Sequence, residues 1–368
     1  MPELIRRSSS HCGGHLTWLF TVESDDSNPA RQGSRGAGIC IEAGLTIHCT
    51  ATESSSDEIQ ITVADQNENS TIDLQILYSE VVRIASHLTD VGGIHWHFDV
   101  DTELPISQGF GLSAAGALAA ARCVLTIATP HYSSIELERA ALGIAHLVER
   151  RLSGGLGDVL GLAAGGVERR LIPGAPYHFV ENEALGSSNE TPENNVSNRS
   201  IADTEKIPSH LSSILKGPGQ SEGFETHIPV ILCWNAKAEH HTSKYIDNAE
   251  WQVRIRNAGA ECMKSLGVGG WSPKRWPELL IQSHRFANDS GLAIDSDRSE
   301  LLSQTEQVIS SLAVPATALL CMLGESVSIV PTELGGNHSW AESLSNALRS
   351  AGLNVLLSQS KNRVAIDW

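Results

Sequence analysis

Residues 104–117 read LPISQGFGLSAAGA, and this segment decides the fold. It follows a stretch, 94–101, in which apolar and polar residues alternate as in a half-buried strand, and it continues into an alanine-rich helical stretch. Gly109 and Gly111 let backbone N–H groups approach an anion closely, and the helix start adds free N–H groups and the positive end of its dipole. The segment therefore predicts either a phosphate-binding loop or a tight strand-to-helix turn packed with small residues.

The segment departs from three other glycine-containing motifs. A Walker A loop needs Gly-Lys-Ser/Thr, but the first lysine of the chain is Lys206. A nucleophile elbow needs Gly-x-Ser-x-Gly, and Ala115 stands where the last glycine is required. The dinucleotide fingerprint fits formally, but it needs a following strand, whereas residues 133–152 have a helical pattern. A nicotinamide-dependent oxidoreductase stays an alternative that cofactor binding would reveal.

Two acids downstream of the loop are candidates for chemistry. The helical stretch 133–152 opens with a capping box and carries His146 and Glu149 on one face, away from its apolar stripe. These two side chains face either a cleft or solvent. Asp158 follows a glycine-rich turn, a position that suits either a general base or a helix N-cap.

Composition and charge exclude several classes of protein. The 26 Lys and Arg residues against 43 Asp and Glu residues give a net charge of −17, which disfavours nucleic-acid and anionic membrane partners. The longest weakly polar stretch, 112–128, is too short to cross a bilayer and contains Arg122. No apolar signal segment follows the first basic residues, so we expect a cytoplasmic protein. Its seven scattered cysteines are expected to be reduced and mostly buried.

The chain is expected to form two α+β domains. Residues 182–223 contain no aromatic residue and are rich in Ser, Asn, Glu and Pro, a composition that predicts a disordered insertion or linker. The N-terminal domain is then 1–181 and the C-terminal domain 224–368.

Several histidines invite a metal-binding interpretation. The pattern His-x-His-x-Asp at 95–99 resembles a metal cluster, but a solvent-facing polar edge of the strand explains it more simply. His11, His15 and the pair 240–241 are likewise interpreted as surface or turn histidines.

Taken in order, these segments resemble the GHMP kinase superfamily, which includes galactokinase, homoserine kinase, mevalonate kinase and phosphomevalonate kinase. The loop at 105–117 is similar to its phosphate-binding motif, and residues 322–327 (MLGESV) are similar to its C-terminal glycine motif. Glu149 and Asp158 fall where its magnesium ligand and catalytic base are expected. The resemblance covers nearly the whole chain outside 182–223.

Within the superfamily, the archaeal pantoate kinase family is the most similar. The segments that carry this narrower resemblance are 33–38 (GSRGAG), 145–149 (AHLVE), 155–159 (GLGDV), 170–174 (RLIPG), 242–243 (TS) and 322–325 (MLGE).

The resemblance implies a fold and an activity. The fold is a ribosomal-protein-S5-like N-terminal domain followed by a ferredoxin-like C-terminal domain. The activity is transfer of the γ-phosphoryl group of ATP, with Mg²⁺, to the small-molecule substrate pantoate in coenzyme A biosynthesis. A homodimer is compatible with it. The alternatives are another GHMP small-molecule kinase, of the mevalonate or homoserine type, and a non-catalytic nucleotide-binding protein.

The resemblance also implies roles for individual residues. Asp158 would orient the acceptor hydroxyl and take its proton, while Ser113 and Glu149 would hold Mg²⁺ and complete the catalytic set. ATP would lie on Gly109, Phe110, Gly111, Leu112, Ser113, Ala114 and Ala115. Since residues 1–205 lack lysine, an arginine is expected to bind the carboxylate of pantoate. Arg170 is the first candidate, with Ser34, Arg35, His146 and Thr242 as further substrate contacts.

Overall fold

The structure is a computed structural model that describes residues 5–55, 60–65, 71–89, 91–176, 217–235 and 248–363. Its first sheet has the strand order β3-β4-β2-β5-β6, with β1 paired to β2; helices α1 to α4 accompany this sheet. These elements are β1 (Ile5–Phe20), β2 (Gly36–Glu53), β3 (Gln60–Asp65), α1 (Thr71–Thr89), β4 (Ile94–Thr102), α2 (Leu112–Ala128), α3 (Ser134–Arg151), α4 (Asp158–Ala164), β5 (Val167–Ile172) and β6 (Gln220–Phe224).

The second sheet is antiparallel, with the order β10-β7-β9-β8. Its elements are β7 (Pro229–Trp234), α5 (Ala249–Leu266), α6 (Trp276–Asp289), α7 (Ser296–Leu312), β8 (Ala316–Cys321), β9 (Ser326–Pro331), α8 (Trp340–Ser350) and β10 (Asn354–Gln359). This strand order, with helices between β7 and β8 and between β9 and β10, is the ferredoxin-like arrangement. The expected two-domain α+β fold is confirmed.

Strand β1 joins the two halves of the molecule. The indole of Trp18 lies edge-on to Trp276 of α6 at 5.7 Å between ring centroids, and Phe20 packs against Phe286 at 5.5 Å. All four rings are buried, and aromatic pairs at such distances stabilise beyond their buried area. The same strand therefore belongs to the core of the first sheet and to the contact with the second half.

Local patterns predict most of these elements well. The alanine-rich stretch forms α2 with the expected bounds, and the capping box at Ser133 and Glu136 is present at the start of α3. Strand β1 begins at Ile5 and includes residues 5–13, whose mostly polar composition is not typical of a strand. Residues 5–13 extend the strand because their backbone pairs with β2, a contact that their polar composition does not reveal.

The prediction that residues 182–223 are disordered is wrong at the C-terminal end of this segment. Residues 182–216 lie outside the described residues, but Gln220–Phe224 forms β6 and pairs antiparallel with β5. Backbone pairing holds residues 220–223, whose side chains are mostly exposed, and the buried Phe224 anchors the end of the strand. A Cβ atom at Gly223 would lie 2.1 Å from the carbonyl oxygen of Gly165, so the close approach needs glycine.

Two deletion variants test this boundary. Replacing 182–216 with a short Gly/Ser linker leaves every described strand intact, and we expect the melting temperature to change little. Extending the replacement to 223 removes most of β6, so we expect a further fall of at least about 2–4 °C, the shift caused by 1 kcal/mol in a domain of this size. Equal melting temperatures, measured by circular dichroism, would show that β6 adds no stability.

Other expectations concern cysteines, metals and membranes. All seven cysteines are free and buried, as predicted. Among the described residues, no group of three or more His, Cys, Asp or Glu side chains has an arrangement that fits a metal ion, and the 95–99 pattern lies on an exposed strand face. Within the same residues, no helix has the length and apolar character needed to span a bilayer.

Candidate active site

The loop between β4 and α2 depends on two glycines. Gly109 has φ 82° and Gly111, the N-cap of α2, has φ 69°, a left-handed conformation that favours glycine. A Cβ atom at Gly109 would lie 2.9 Å from the carbonyl oxygen of Cys321, and one at Gly111 would lie 2.7 Å from that of His15. The loop therefore fits between β1 and the end of β8 because neither glycine has a side chain.

The C-terminal glycine motif packs against this loop. The hydroxyl of Ser326 donates a hydrogen bond to the carbonyl oxygen of Gln108, and a Cβ atom at Gly324 would collide with the same carbonyl. The buried Arg298 donates from Nε to the carbonyl oxygen of Gly324 at 2.8 Å. Two segments more than 200 residues apart thus form one rigid support for the loop.

The loop and the start of α2 open onto a cavity of about 490 Å³. The first turn of an α-helix leaves N–H groups without intrahelical acceptors and carries the positive end of the dipole, which favours anions. Ser34, Ser113, Glu149 and Asp158 also line the cavity. Four of the side chains expected at the site are therefore brought together, although they come from four different parts of the first domain.

Ser113 and Glu149 form a contact between α2 and α3. The hydroxyl of Ser113 donates to Oε1 of Glu149 at 2.5 Å, and the N–H of Gly155 donates to Oε2 at 2.6 Å. Glu149 is buried, and burial raises the pKa of its carboxyl to about 7, against the opposing effect of the Ser113 hydrogen bond. Of the two candidates on this helix face, Glu149 lines the cavity and His146 does not.

Asp158, the first residue of α4, is held at one oxygen. Its Oδ1 lies 2.7 Å from Nδ1 of His15 and accepts a bond from the hydroxyl of Thr17 at 3.3 Å. Burial by itself would raise the pKa of Asp158, but the hydrogen bond and charge of His15, together with Arg170 and Thr17, lower it. The side chain is 20% exposed, so an ionised carboxylate faces the cavity.

Ser34 is the cavity residue with an unused polar atom. The residue is 1% exposed, and its Oγ has no hydrogen-bond partner among the described residues. A Cβ atom at Gly157 would lie 2.3 Å from this Oγ, so the glycine turn leaves room for the hydroxyl. A buried hydroxyl without a partner is costly, and a ligand oxygen in the cavity would satisfy it.

Arg170 does not line the cavity, contrary to the role expected for it. Its side chain is fully buried, with Nη1 3.2 Å from the hydroxyl of Thr17 and 3.4 Å from Oε1 of Glu168. Nη2 donates to the carbonyl oxygen of Leu19 at 3.3 Å. Gly157 and Thr17 separate the guanidinium from the cavity, since Arg170 belongs to β5, which pairs with β2 inside the first sheet.

Two other expected substrate contacts, His146 and Arg35, do not line the cavity. His146 is buried and its Nε2 lies 3.1 Å from the carbonyl oxygen of Pro29; burial lowers its pKa to about 4, which keeps it neutral. Arg35 pairs with Glu23 at 2.7 Å outside the cavity. Thr242 lies outside the described residues.

Behind Asp158 lies a buried polar group that was not expected from the sequence. His15, interpreted as a surface or turn histidine, is fully buried, and its Nε2 lies 3.0 Å from Oε1 of the equally buried Glu168. The local sequence contains a hint of this burial. His15 and Thr17 alternate with Leu16 and Trp18, so the polar residues lie on one face of the strand and the apolar residues on the other. The polar face can also be buried when its side chains find hydrogen-bond partners.

Comparisons with known proteins show what this chain is similar to. Residues 77–166 match a family model described as GHMP kinases N terminal domain. The pantoate kinase of Thermococcus kodakarensis is 33% identical over 165 residues, which are 44% of this chain and 51% of that protein. The pantoate kinase of Methanospirillum hungatei is 28% identical over 173 residues, 46% of this chain and 55% of that protein. The chain thus spans about half the length of the curated relatives it matches.

A solved structure described as a phosphotransferase related to the CoA biosynthesis pathway superposes over 97% of both chains. Its TM-score is 0.65 and its sequence identity 20%, a level at which the likeness shows the fold. The resemblance to GHMP kinases expected from the sequence is confirmed, and Glu149 and Asp158 lie within the matched segment.

Proposed function

We propose that this protein, whose residues 77–166 form a GHMP kinases N terminal domain, transfers the γ-phosphoryl group of ATP to the primary hydroxyl of pantoate. The product is 4-phosphopantoate, an intermediate of coenzyme A biosynthesis. The observation that carries the proposal is the meeting of Ser113, Glu149 and an ionised Asp158 in the cavity at the phosphate loop. A site that only binds nucleotide has no need of a base.

The phosphates of ATP would be held by backbone rather than by side chains. The segment from Gly109 to Ala114 lines the cavity at the start of α2, where N–H groups without intrahelical acceptors and the helix dipole favour anions. The N–H of Ala115 is bonded to the carbonyl oxygen of Gly111. The side chain of Phe110 is buried and packs against Trp234 at 5.7 Å, so it stabilises the loop from behind. Only the backbone of Phe110 is available to a nucleotide.

Ser113 and Glu149 suit Mg²⁺. Their oxygens lie side by side at the cavity, and a hydroxyl with a carboxylate is the kind of donor set that this ion prefers beside phosphates. A buried carboxylate whose pKa is raised to about 7 gains from a nearby divalent cation. When bound there, the ion would neutralise charge on the phosphates of ATP.

Asp158 would act on the acceptor hydroxyl. With Oδ1 engaged by His15, Oδ2 is the oxygen that accepts the hydroxyl proton. The acceptor oxygen forms its bond to the γ-phosphorus as the bond to the bridging oxygen of the β-phosphate breaks, and ADP leaves. The Oγ of Ser34 is available to an oxygen of the acceptor. Catalysis is then mainly positioning and charge stabilisation, as in other phosphoryl transfers.

The proposal is tested by a panel of acceptors with ATP and Mg²⁺. We expect ADP release with pantoate and 4-phosphopantoate in the mass spectrum, and little turnover with mevalonate or homoserine. Preference for mevalonate or homoserine would assign another GHMP activity. ATP binding without turnover of any acceptor would indicate a non-catalytic nucleotide-binding protein.

Glu149→Gln tests the magnesium site. The amide keeps the size of the side chain but removes the charge, so we expect kcat to fall and the half-saturating concentration of Mg²⁺ to rise, with partial recovery at high magnesium. Glu300→Gln, at an exposed acid of α7, is the control and should leave both quantities unchanged. An unaltered magnesium dependence in Glu149→Gln would remove Glu149 from the metal site.

We also propose that the protein acts in the cytoplasm and without a nucleic-acid partner. Seven free buried thiols fit a reducing compartment, and a net charge of −17 repels phosphate backbones. The homodimer stays a prediction.

A further inference from the structure

The imidazole of His15 bridges two carboxylates. Nδ1 lies 2.7 Å from Oδ1 of Asp158 and Nε2 lies 3.0 Å from Oε1 of Glu168. His15 and Glu168 are both fully buried, on β1 and β5. A Cβ atom at Gly161 of α4 would lie 2.3 Å from Nε2, so the imidazole occupies space that only glycine leaves open.

This geometry fixes the protonation state of the imidazole. An ionised carboxylate only accepts hydrogen bonds, so a ring nitrogen facing one must carry a proton. With a carboxylate at each nitrogen, His15 is an imidazolium. Burial alone would lower the pKa of His15, but the hydrogen bonds that the imidazolium donates to both acids, together with the charges of those acids, raise it above the usual value.

The charges around His15 alternate and balance. Arg170 lies 3.4 Å from the same Oε1 of Glu168, so two anions and two cations follow one another from Asp158 to Arg170. The thiol of Cys40 nearby stays neutral, because burial raises its pKa well above the usual value. Paired charges can persist in an interior where a single one would be too costly.

We propose that His15, held by Glu168, is a positioning residue that fixes Oδ1 of Asp158 and leaves Oδ2 to take the proton of the acceptor. The inference rests on the proposed function for the reaction itself. His15 acts only through Asp158, since its own side chain is sealed from the cavity.

The surroundings of Oδ2 support this division between the two oxygens. A Cβ atom at Gly155 would lie 2.0 Å from Oδ2, so this oxygen faces the glycine turn that borders the cavity. Thr17 adds a second bond to Oδ1, at 3.3 Å, and no donor among the described residues bonds to Oδ2. The carboxylate is therefore anchored on one side and open on the other.

The first experiment measures the imidazole directly and needs no substrate. In ¹⁵N-labelled protein at pH 7, long-range ¹H–¹⁵N spectra should show one buried histidine with both ring nitrogens protonated, and His15→Gln should remove that signal alone. In Glu168→Gln the same histidine should lose its proton at lower pH, since one anionic partner is gone. A neutral His15 in the wild-type protein at pH 7 would overturn the proposal.

The second experiment is kinetic. A misplaced catalytic group costs up to about 10²-fold, so we expect His15→Gln to lower kcat by about 10- to 100-fold with little change in the KM for ATP. Loss of the imidazolium raises the pKa of Asp158, so the acid limb of the pH profile should move to higher pH. The other charged groups facing Asp158 are Arg170 and Glu149, and both are unchanged in this variant.

His48→Gln, at an exposed histidine of β2, is the matched control and should leave the pH profile unchanged. If His15 has only a structural role, His15→Gln should have a lower melting temperature but an unshifted acid limb of the pH profile. An unshifted acid limb would overturn the proposal. If no acceptor is phosphorylated, the proposed function is wrong. The spectra still decide whether His15 is protonated at both ring nitrogens. If His15→Gln fails to fold, Glu168→Gln carries the spectral test.

Discussion

Replacing Asp158 by asparagine is expected to reduce kcat by about 10² or more. The amide keeps the shape of the side chain and an acceptor for His15, but it cannot take the proton of the acceptor hydroxyl. The affinity for ATP, measured by calorimetry, should hardly change, because the site proposed for the phosphates is the backbone of the 109–114 segment.

The matched control is Asp99→Asn, at an exposed acid of β4 whose side chain is 57% exposed. It should turn over like the wild type. Near-normal kcat in Asp158→Asn would remove Asp158 from the chemistry, whereas a loss of ATP affinity equal to the loss of kcat would point to a collapsed cavity.

Arg170→Met is expected to have its largest effect on stability. Removing one partner of a buried ion pair leaves the other charge uncompensated, at a cost of about 3–5 kcal/mol. Glu168 would keep only His15 as a cationic partner, and the hydroxyl of Thr17 and the carbonyl of Leu19 would each lose a donor. The free energy of unfolding in urea should fall by that amount.

Arg83→Met provides the comparison, since Arg83 is 54% exposed and pairs with Glu80 at 2.6 Å on the same helix. Exposed pairs contribute about 0–1 kcal/mol, so its unfolding curve should barely move. A stable Arg170→Met protein with a raised KM for pantoate and an unchanged KM for ATP would contradict this expectation. It would instead support the substrate-carboxylate role that the sequence suggested.

The sequence by itself determined the elements whose signals are local. Alternation along residues 94–101 and the alanine-rich stretch after Gly111 identify β4 and α2, and a strand followed by a glycine loop and a helix predicts an anion site wherever it occurs. Glu149 and Asp158 could be selected because each stands next to such a local feature, a helix face or a glycine turn, whereas Ser113 was selected through the resemblance to GHMP kinases.

Only the tertiary structure decided which polar side chains are buried and which of them meet. His15 and Glu168 are 153 residues apart, and His146 and Pro29 are 117 apart. Burial of a polar side chain depends on a partner supplied by another strand, and nothing local specifies that partner. The same pattern of polar residues on a strand fits an exposed edge or a satisfied interior network. The pairing of β1, β2 and β5 decides between the exposed edge and the interior network. Because of this pairing, Arg170 lies outside the cavity and His15 lies behind Asp158.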